Sequence, residues 1–312
     1  MAETTIEWTR GPRGELGYTF NGWIGCEKIS PGCDNCYAAA QDQFRSWTPE
    51  GWGGPRKRTS EANWKLPTRW NAAAAAAGER RRVFCSSLAD VFDNQVPNEW
   101  RADLFTLIRN TPNLDWLLLT KRVGNAKAMI EQATRDQGDH GDELAGWPWP
   151  NVWLGATVVN QGEADRDIPK LLATPARVRF LSCEPLLGPV DLRCLRLPSE
   201  PGTLRYMDAV DRSDGARGLD WVIVGGESGH GARPMHPAWA RSLRDQCAAA
   251  GVPFLFKQWG EWIPAGQAYA FKAPIREFGY DEVNCHRLHR IGKKAAGRLL
   301  DGVTHDGFPE VR

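Results

Sequence analysis

The chain has 312 residues, 39 basic against 38 acidic side chains and a net charge of +1, a balance that excludes a basic nucleic-acid coat and an acidic tail. Hydrophobic residues at 42% and charged residues at 25% are the mix of a folded globular protein and exclude fibre and disorder. The opening MAETTIEWTR carries two acids and no apolar run, and no later segment approaches the roughly 18 apolar residues of a membrane span, so a soluble, unexported, cytoplasmic protein with no membrane partner is expected.

In chain order, β-rich runs are predicted at Tyr18 to Gly25, Val83 to Ser87, Trp116 to Thr120, Val152 to Val158, Val178 to Cys183, Trp221 to Gly225 and Pro253 to Gln258. Trp116-Leu-Leu-Leu and Trp221-Val-Ile-Val are almost continuously apolar, the pattern of parallel strands covered on both faces. Helices are predicted at Ala38 to Trp47, Glu99 to Arg109, Asn125 to Thr134, Ile168 to Ala173 and Pro237 to Ala250. This alternation predicts an α/β fold, and about seven units favour a full or partial (β/α) barrel over a doubly wound open sheet. One domain over 1–312 is expected. Insertions rich in Gly, Asp, Arg and Pro are read near 135–150 and 195–219, with a C-terminal extension from about 260. Asn71 to Arg82, with six consecutive alanines, reads as a helix or a surface linker.

Eight cysteines in a reducing compartment suit metal or redox chemistry better than disulfides. Three of them, Cys26, Cys33 and Cys36, form a C-x6-C-x2-C loop directly after the first predicted strand and before the first helix. Pro31 and Gly32 supply a turn, and Cys-x-x-Cys spacing allows two bonds to one metal centre. Structural zinc usually takes four ligands, whereas a 4Fe-4S cluster on three cysteines keeps one iron open. No fourth cysteine or histidine lies in the loop. The cluster is the leading reading; zinc with a remote fourth ligand and buried or redox thiols are the others.

Chemistry in α/β folds gathers at the carboxyl ends of strands. There lie Gly225-Gly226-Glu227, whose glycines permit close backbone approach and whose carboxylate can accept bonds from an ammonium or ribose; the bland reading is a tight turn. Glu184 offers a second carboxylate, or a salt-bridged cap. Lys121 and Lys257 are candidates for a phosphate or carboxylate, or solvated charges. Cys85 and Cys183 also close strands, where a free cysteine is usually a small core residue. Cys285-His286-x-x-His289 has ligand-capable spacing without a fourth ligand nearby. Basic clusters at Arg10 to Arg13, Arg56 to Arg58, Arg80 to Arg82 and Lys293-Lys294, with Trp47, Trp52, Trp64 and Trp70 interleaved, suit DNA or RNA, although tryptophans more often pack cores.

The run GCEKISPGCDNCYA, followed by WLLLTKR, FLSCEPLLGP, WVIVGGESG, FKQWGEW and GKKAAGRLLDG, resembles the phage-associated three-cysteine-motif family of radical S-adenosylmethionine-like proteins, over nearly the whole chain. The resemblance implies a β/α barrel, a 4Fe-4S cluster on Cys26, Cys33 and Cys36, and S-adenosylmethionine bound at the open iron through its amino and carboxylate groups. Reductive cleavage would give methionine and a 5′-deoxyadenosyl radical that abstracts hydrogen from a substrate, with an electron donor of flavodoxin or ferredoxin type. It further implies Gly225, Gly226 and Glu227 at the cofactor's amino group. Beside them the residues themselves offer Glu184 and Lys121 for the same mouth, Tyr37 for packing on the adenine, and Cys85 or Cys183 as a hydrogen-atom donor to a product radical. The commonest superfamily loop is C-x3-C-x2-C with an aromatic before the last cysteine; here the first gap is longer, Asn35 precedes Cys36 and Tyr37 follows it. Nucleic acid, through base repair or modification, is the candidate substrate. The rival reading is a nucleic-acid- or partner-binding protein with a structural zinc or iron-sulfur site.

Overall fold

The computed structural model describes residues 3–135, 146–200, 203–213, 218–267, 275–279 and 285–310, with backbone alone at 267, 277–279 and 285. Part of the first predicted insertion, 136–145, therefore lies outside the described residues. The chain forms two compact units, residues 1–29, 38–156 and 173–179, and residues 30–37, 157–172 and 180–312.

The first unit runs β1 (Glu3–Thr4), β2 (Gly17–Phe20), β3 (Trp23–Ile24), α1 (Tyr37–Arg45), β4 (Lys57–Arg58), α2 (Glu61–Trp64), α3 (Leu66–Ala76), β5 (Arg81–Cys85), α4 (Asn98–Arg109), β6 (Leu114–Thr120), α5 (Val123–Arg135) and β7 (Val152–Thr157). The second carries α6 (Gln161–Ala173), β8 (Val178–Cys183), β9 (Leu195–Leu197), β10 (Arg205–Met207), β11 (Trp221–Gly225), α7 (Pro237–Ala250), β12 (Phe254–Gln258), β13 (Trp262–Pro264), β14 (Ile275–Gly279), β15 (Cys285–Arg290) and α8 (Lys293–Ala296).

The principal strands form a run within each unit. In the first unit they follow one another as β1-β2-β5-β6-β7, with β1 antiparallel and the other pairs parallel. In the second they follow as β8-β11-β12, all parallel. The parallel steps β2–β5, β5–β6, β6–β7 and β11–β12 are each separated by helix in sequence, as crossovers require, whereas β8 and β11 are bridged by the β9–β10 ladder with no helix among the described residues. The expected mixed α/β class is thus observed. Short pieces with little apolar pattern were not anticipated: the β3–β4 ladder, the β9–β10 ladder within the second predicted insertion, and the antiparallel β13-β15-β14 sheet in the C-terminal extension. The alanine run resolves as the body of α3, consistent with alanine's high helix propensity.

The apolar runs explain the cores. In the first unit Trp116, Leu117 and Leu118 are fully buried, and the Phe20 ring meets Trp64 and Trp116 edge-on at 5.5 and 5.6 Å. In the second, all residues of β8 and β11 are buried, and Trp221 anchors its indole N–H on the Gly307 carbonyl at 2.7 Å. The segment near Gly307 also bonds along β12, with Phe256 N–H on His305 O (3.0 Å) and Gly307 N–H on Phe254 O (2.9 Å). It covers backbone groups that an edge strand would otherwise offer to another chain.

Gly226 follows β11 in a place where no side chain fits: a Cβ there would lie 1.9 Å from the Trp259 carbonyl oxygen. The backbone must shift to admit even a methyl group. Gly226→Ala should therefore lower unfolding free energy by about 3 kcal/mol in denaturant titration, whereas a loss under about 0.5 kcal/mol would contradict the close approach.

Candidate functional site

A strand buried on both faces has no solvent-facing row, so polar side chains collect where it ends. In the first unit β5 is followed by Ser86, whose φ of 65° is a left-handed conformation unusual for serine, and then by a loop carrying Asp90 and Asp93. Arg101 of α4 fixes that loop from below, donating to the carbonyls of Val91 (3.0 Å) and Asp93 (2.9 Å). Asp90 then accepts the Thr120 hydroxyl (2.7 Å) and the Lys121 backbone N–H (3.0 Å), tying this loop to the end of β6. Asp93 accepts from the buried Arg56 guanidinium at 2.7 Å.

This framework ends on a cysteine. Arg122, with its side chain only 8% exposed, donates to Cys26 Sγ (3.3 Å), to the Glu27 carbonyl (3.0 Å) and to Asp90 (3.4 Å). Burial and then Asp90 push the Cys26 thiol up to about 11, with Arg122 pulling the other way. Burial opposes the charge on Arg122, but Asp90 and Cys26 outweigh it and hold the guanidinium above its ordinary value.

In the second unit a separate network fixes the segment from Ser30 to Tyr37. Ser30 caps the turn at Pro31–Cys33 by accepting the Gly32 N–H (3.0 Å) and donates to Glu163 Oε1 (2.6 Å). Glu163 Oε2 in turn accepts the Val159 N–H after β7 (3.1 Å). Cys36 N–H closes on the Cys33 carbonyl at 3.3 Å. Asn35, between the two cysteines, donates to Glu227 Oε2 (3.0 Å) and to the Gly231 carbonyl (2.9 Å). A Cβ on Gly231 would stand 2.5 Å from Asn35 Oδ1, so that approach needs glycine.

Arg233 completes the latch. Its guanidinium grips Glu227 through both carboxylate oxygens (2.9 and 2.6 Å) and reaches Asp34 (3.1 Å) and the Pro31 carbonyl (2.8 Å). Its backbone N–H also donates to Glu227 at 2.8 Å. The carboxylate expected to receive a cofactor ammonium accepts from Arg233 and Asn35. Burial raises the Glu227 carboxyl, but those bonds outweigh it and hold it below its ordinary value of 4.5.

The other expected residues are placed as follows. Glu184, just past β8, accepts two contacts from the Lys257 ammonium (2.7 and 2.8 Å) and one from Gln258 (3.1 Å) at the end of β12. Gly225 lies against it, where a Cβ would stand 3.3 Å from the Glu184 side chain. Lys121 is half-buried and Tyr37 is exposed. Cys183 is fully buried in β8, and burial raises its thiol far above the ordinary range, as for a small core residue. The basic clusters are largely engaged within the first unit: Arg80 pairs with Asp115, Arg81 with Glu79, and Arg58 pairs with Asp103 while lying 4.4 Å over the Trp64 ring. Trp70 stacks on Tyr18 at 4.3 Å. The side chain of Cys285 lies outside the described residues.

The donor chemistry of the cysteine loop fits a thiophilic metal centre: Cys26, Cys33 and Cys36 are all free thiols, one buried and two half-buried. Among the described residues no group of three or more His, Cys, Asp or Glu is gathered to hold a metal ion. Sequence reading missed Arg233, Asn35, Asp90 and Ser30, and gave Arg122 only as a strand-end cation beside Thr120 and Lys121, because their partners include residues remote in sequence. Only the position of Asn35 inside Cys-x-x-Cys gave a local hint.

The latch has a measurable consequence. Arg233→Met leaves the Glu227 carboxylate nearly buried and short of its charged partner, so the variant should lose about 3 kcal/mol of stability at pH 7. Because the folded carboxyl is depressed, that stabilisation is fully present above pH 4.5 and is lost as pH falls through the depressed value. The difference between wild type and variant should shrink in acid unfolding curves; a difference that grew on acidification would contradict the assignment.

Among the described residues no helix is long and apolar enough to cross a membrane. No curated protein and no solved structure matches the chain. Residues 3–309 match DUF5131, described as a protein of unknown function, and the chain belongs to that family.

Proposed function

We propose that this chain is a radical S-adenosylmethionine enzyme on a partial β/α barrel, with Cys26, Cys33 and Cys36 holding a 4Fe-4S cluster. The observation that carries the reading is the loop itself: three free thiols between the end of β3 and the start of α1, with polar networks ending on both of its arms. Three thiolates leave one iron of such a cluster open to a further ligand. When bound, such a cluster, reduced by a flavodoxin- or ferredoxin-like donor, would supply the one electron needed to cleave S-adenosylmethionine to methionine and a 5′-deoxyadenosyl radical able to take a hydrogen atom from a substrate.

The chain's own residues then have distinct tasks. Glu227 keeps the Cys33 to Cys36 segment in place through Arg233 and Asn35. Glu184 and Lys257 form a partly exposed carboxylate–ammonium pair whose charges match the amino and carboxylate groups of the cofactor, so ligand groups can exchange for the internal partners. Gly225 and Gly226 keep the backbone beside Glu184 free of side chains. Tyr37 offers an exposed ring for the adenine and Lys121 a cation just past β6, while the fully buried Cys183 stays a core residue. Nucleic acid is the proposed substrate class, and the aromatic and basic residues around Arg58 and Trp64 the surface that supports it.

The test is turnover. Anaerobically reconstituted protein under strong reduction should yield methionine and 5′-deoxyadenosine, and Cys33→Ala should abolish both while Glu184→Gln weakens cofactor binding by about tenfold, as expected for loss of one charge-assisted bond. Wild type that carries iron yet never cleaves S-adenosylmethionine would sink the proposal. Joint loss of folding and nucleic-acid binding in Cys26→Ala would favour a structural metal instead.

A further inference from the structure

We infer that Arg122 is a positioning and tuning residue of the metal centre, acting as the charged hydrogen-bond donor to the Cys26 sulfur. This rests on the cluster reading above and deepens it. A half-buried cysteine just past a strand ordinarily packs as a small apolar group, yet at Cys26 a guanidinium nitrogen stands 3.3 Å from Sγ. That guanidinium has little freedom to be elsewhere. Its second terminal nitrogen is bonded to the Glu27 carbonyl at 3.0 Å, and Asp90 holds the first at 3.4 Å. Its own backbone N–H is bonded to the Thr120 hydroxyl at 2.8 Å, and that hydroxyl is bonded to Asp90.

Asp90 therefore orients both the strand end and the arginine, and the arginine delivers its charge to one sulfur. Asp93 stands 4.0 Å from the Arg122 guanidinium and is itself occupied by Arg56, so Asp90 and Cys26 are the closer partners of that charge. A donor to a ligating thiolate withdraws electron density from sulfur and favours the reduced, more negative state of the cluster. The effect is strongest where water cannot compete, and the side chain of Arg122 is almost out of solvent.

The experiment is a redox titration followed by electron paramagnetic resonance on anaerobically reconstituted full-length protein, comparing wild type with Arg122→Met and Arg122→Gln, with iron counted in each. Both variants should bind iron and show a midpoint potential more negative than wild type, while melting curves remain cooperative. Where Arg122→Met fails to fold, Arg122→Gln, which keeps a neutral donor, carries the comparison. Iron-loaded variants with the wild-type midpoint would overturn the role of Arg122 and leave the cluster standing. Wild type that takes up no iron would overturn the cluster, and this inference with it.

Discussion

A carboxylate removed from water must be bonded or it will take up a proton, and Glu227 is the point at which this constraint organises the second unit. The residue is only 6% exposed, and its two oxygens receive Arg233 twice through the side chain, once through the backbone, and Asn35. The same guanidinium reaches Pro31 and Asp34, so satisfying one buried charge also fixes the segment that carries Cys33 and Cys36. Gly226 and Gly231 make that possible, because a Cβ at either would collide with backbone or with Asn35.

The first unit solves the same kind of problem with other residues. Asp90 and Asp93 are buried acids placed by Arg101 and neutralised by Arg122 and Arg56. Arg122 passes the charge on to Cys26. Each cysteine arm thus belongs to a network that is complete within its own unit, and the thiols need no disulfide to be held. Glu184 differs in being paired with Lys257 where both side chains keep some solvent access.

Much of the fold was legible in the sequence because burial on both faces writes itself as continuous apolar runs. Trp116-Leu-Leu-Leu and Trp221-Val-Ile-Val became β6 and β11, and the helices α4, α5 and α7 lie within one or two residues of their expected bounds. The β9–β10 ladder and the β13-β15-β14 sheet were not legible, since short antiparallel strands with one wet face carry little apolar pattern. For the site, sequence spacing exposed the cysteine loop and the strand-end residues Glu184, Glu227 and Lys257. It could not show that Glu227 meets Arg233 rather than a ligand, nor that Arg80 and Arg81 are spent on Asp115 and Glu79. Pairing of charges is a property of three-dimensional neighbours, invisible in a single sequence.

The account turns on whether three thiols of one loop hold four irons and leave one of them open. Iron and sulfide analysis of the anaerobically reconstituted protein, with electron paramagnetic resonance of the reduced state before and after adding S-adenosylmethionine, tests that directly. The account predicts about four irons per chain and a signal that changes on adding the cofactor. Zinc in place of iron, or a cluster whose signal ignores the cofactor, would contradict it.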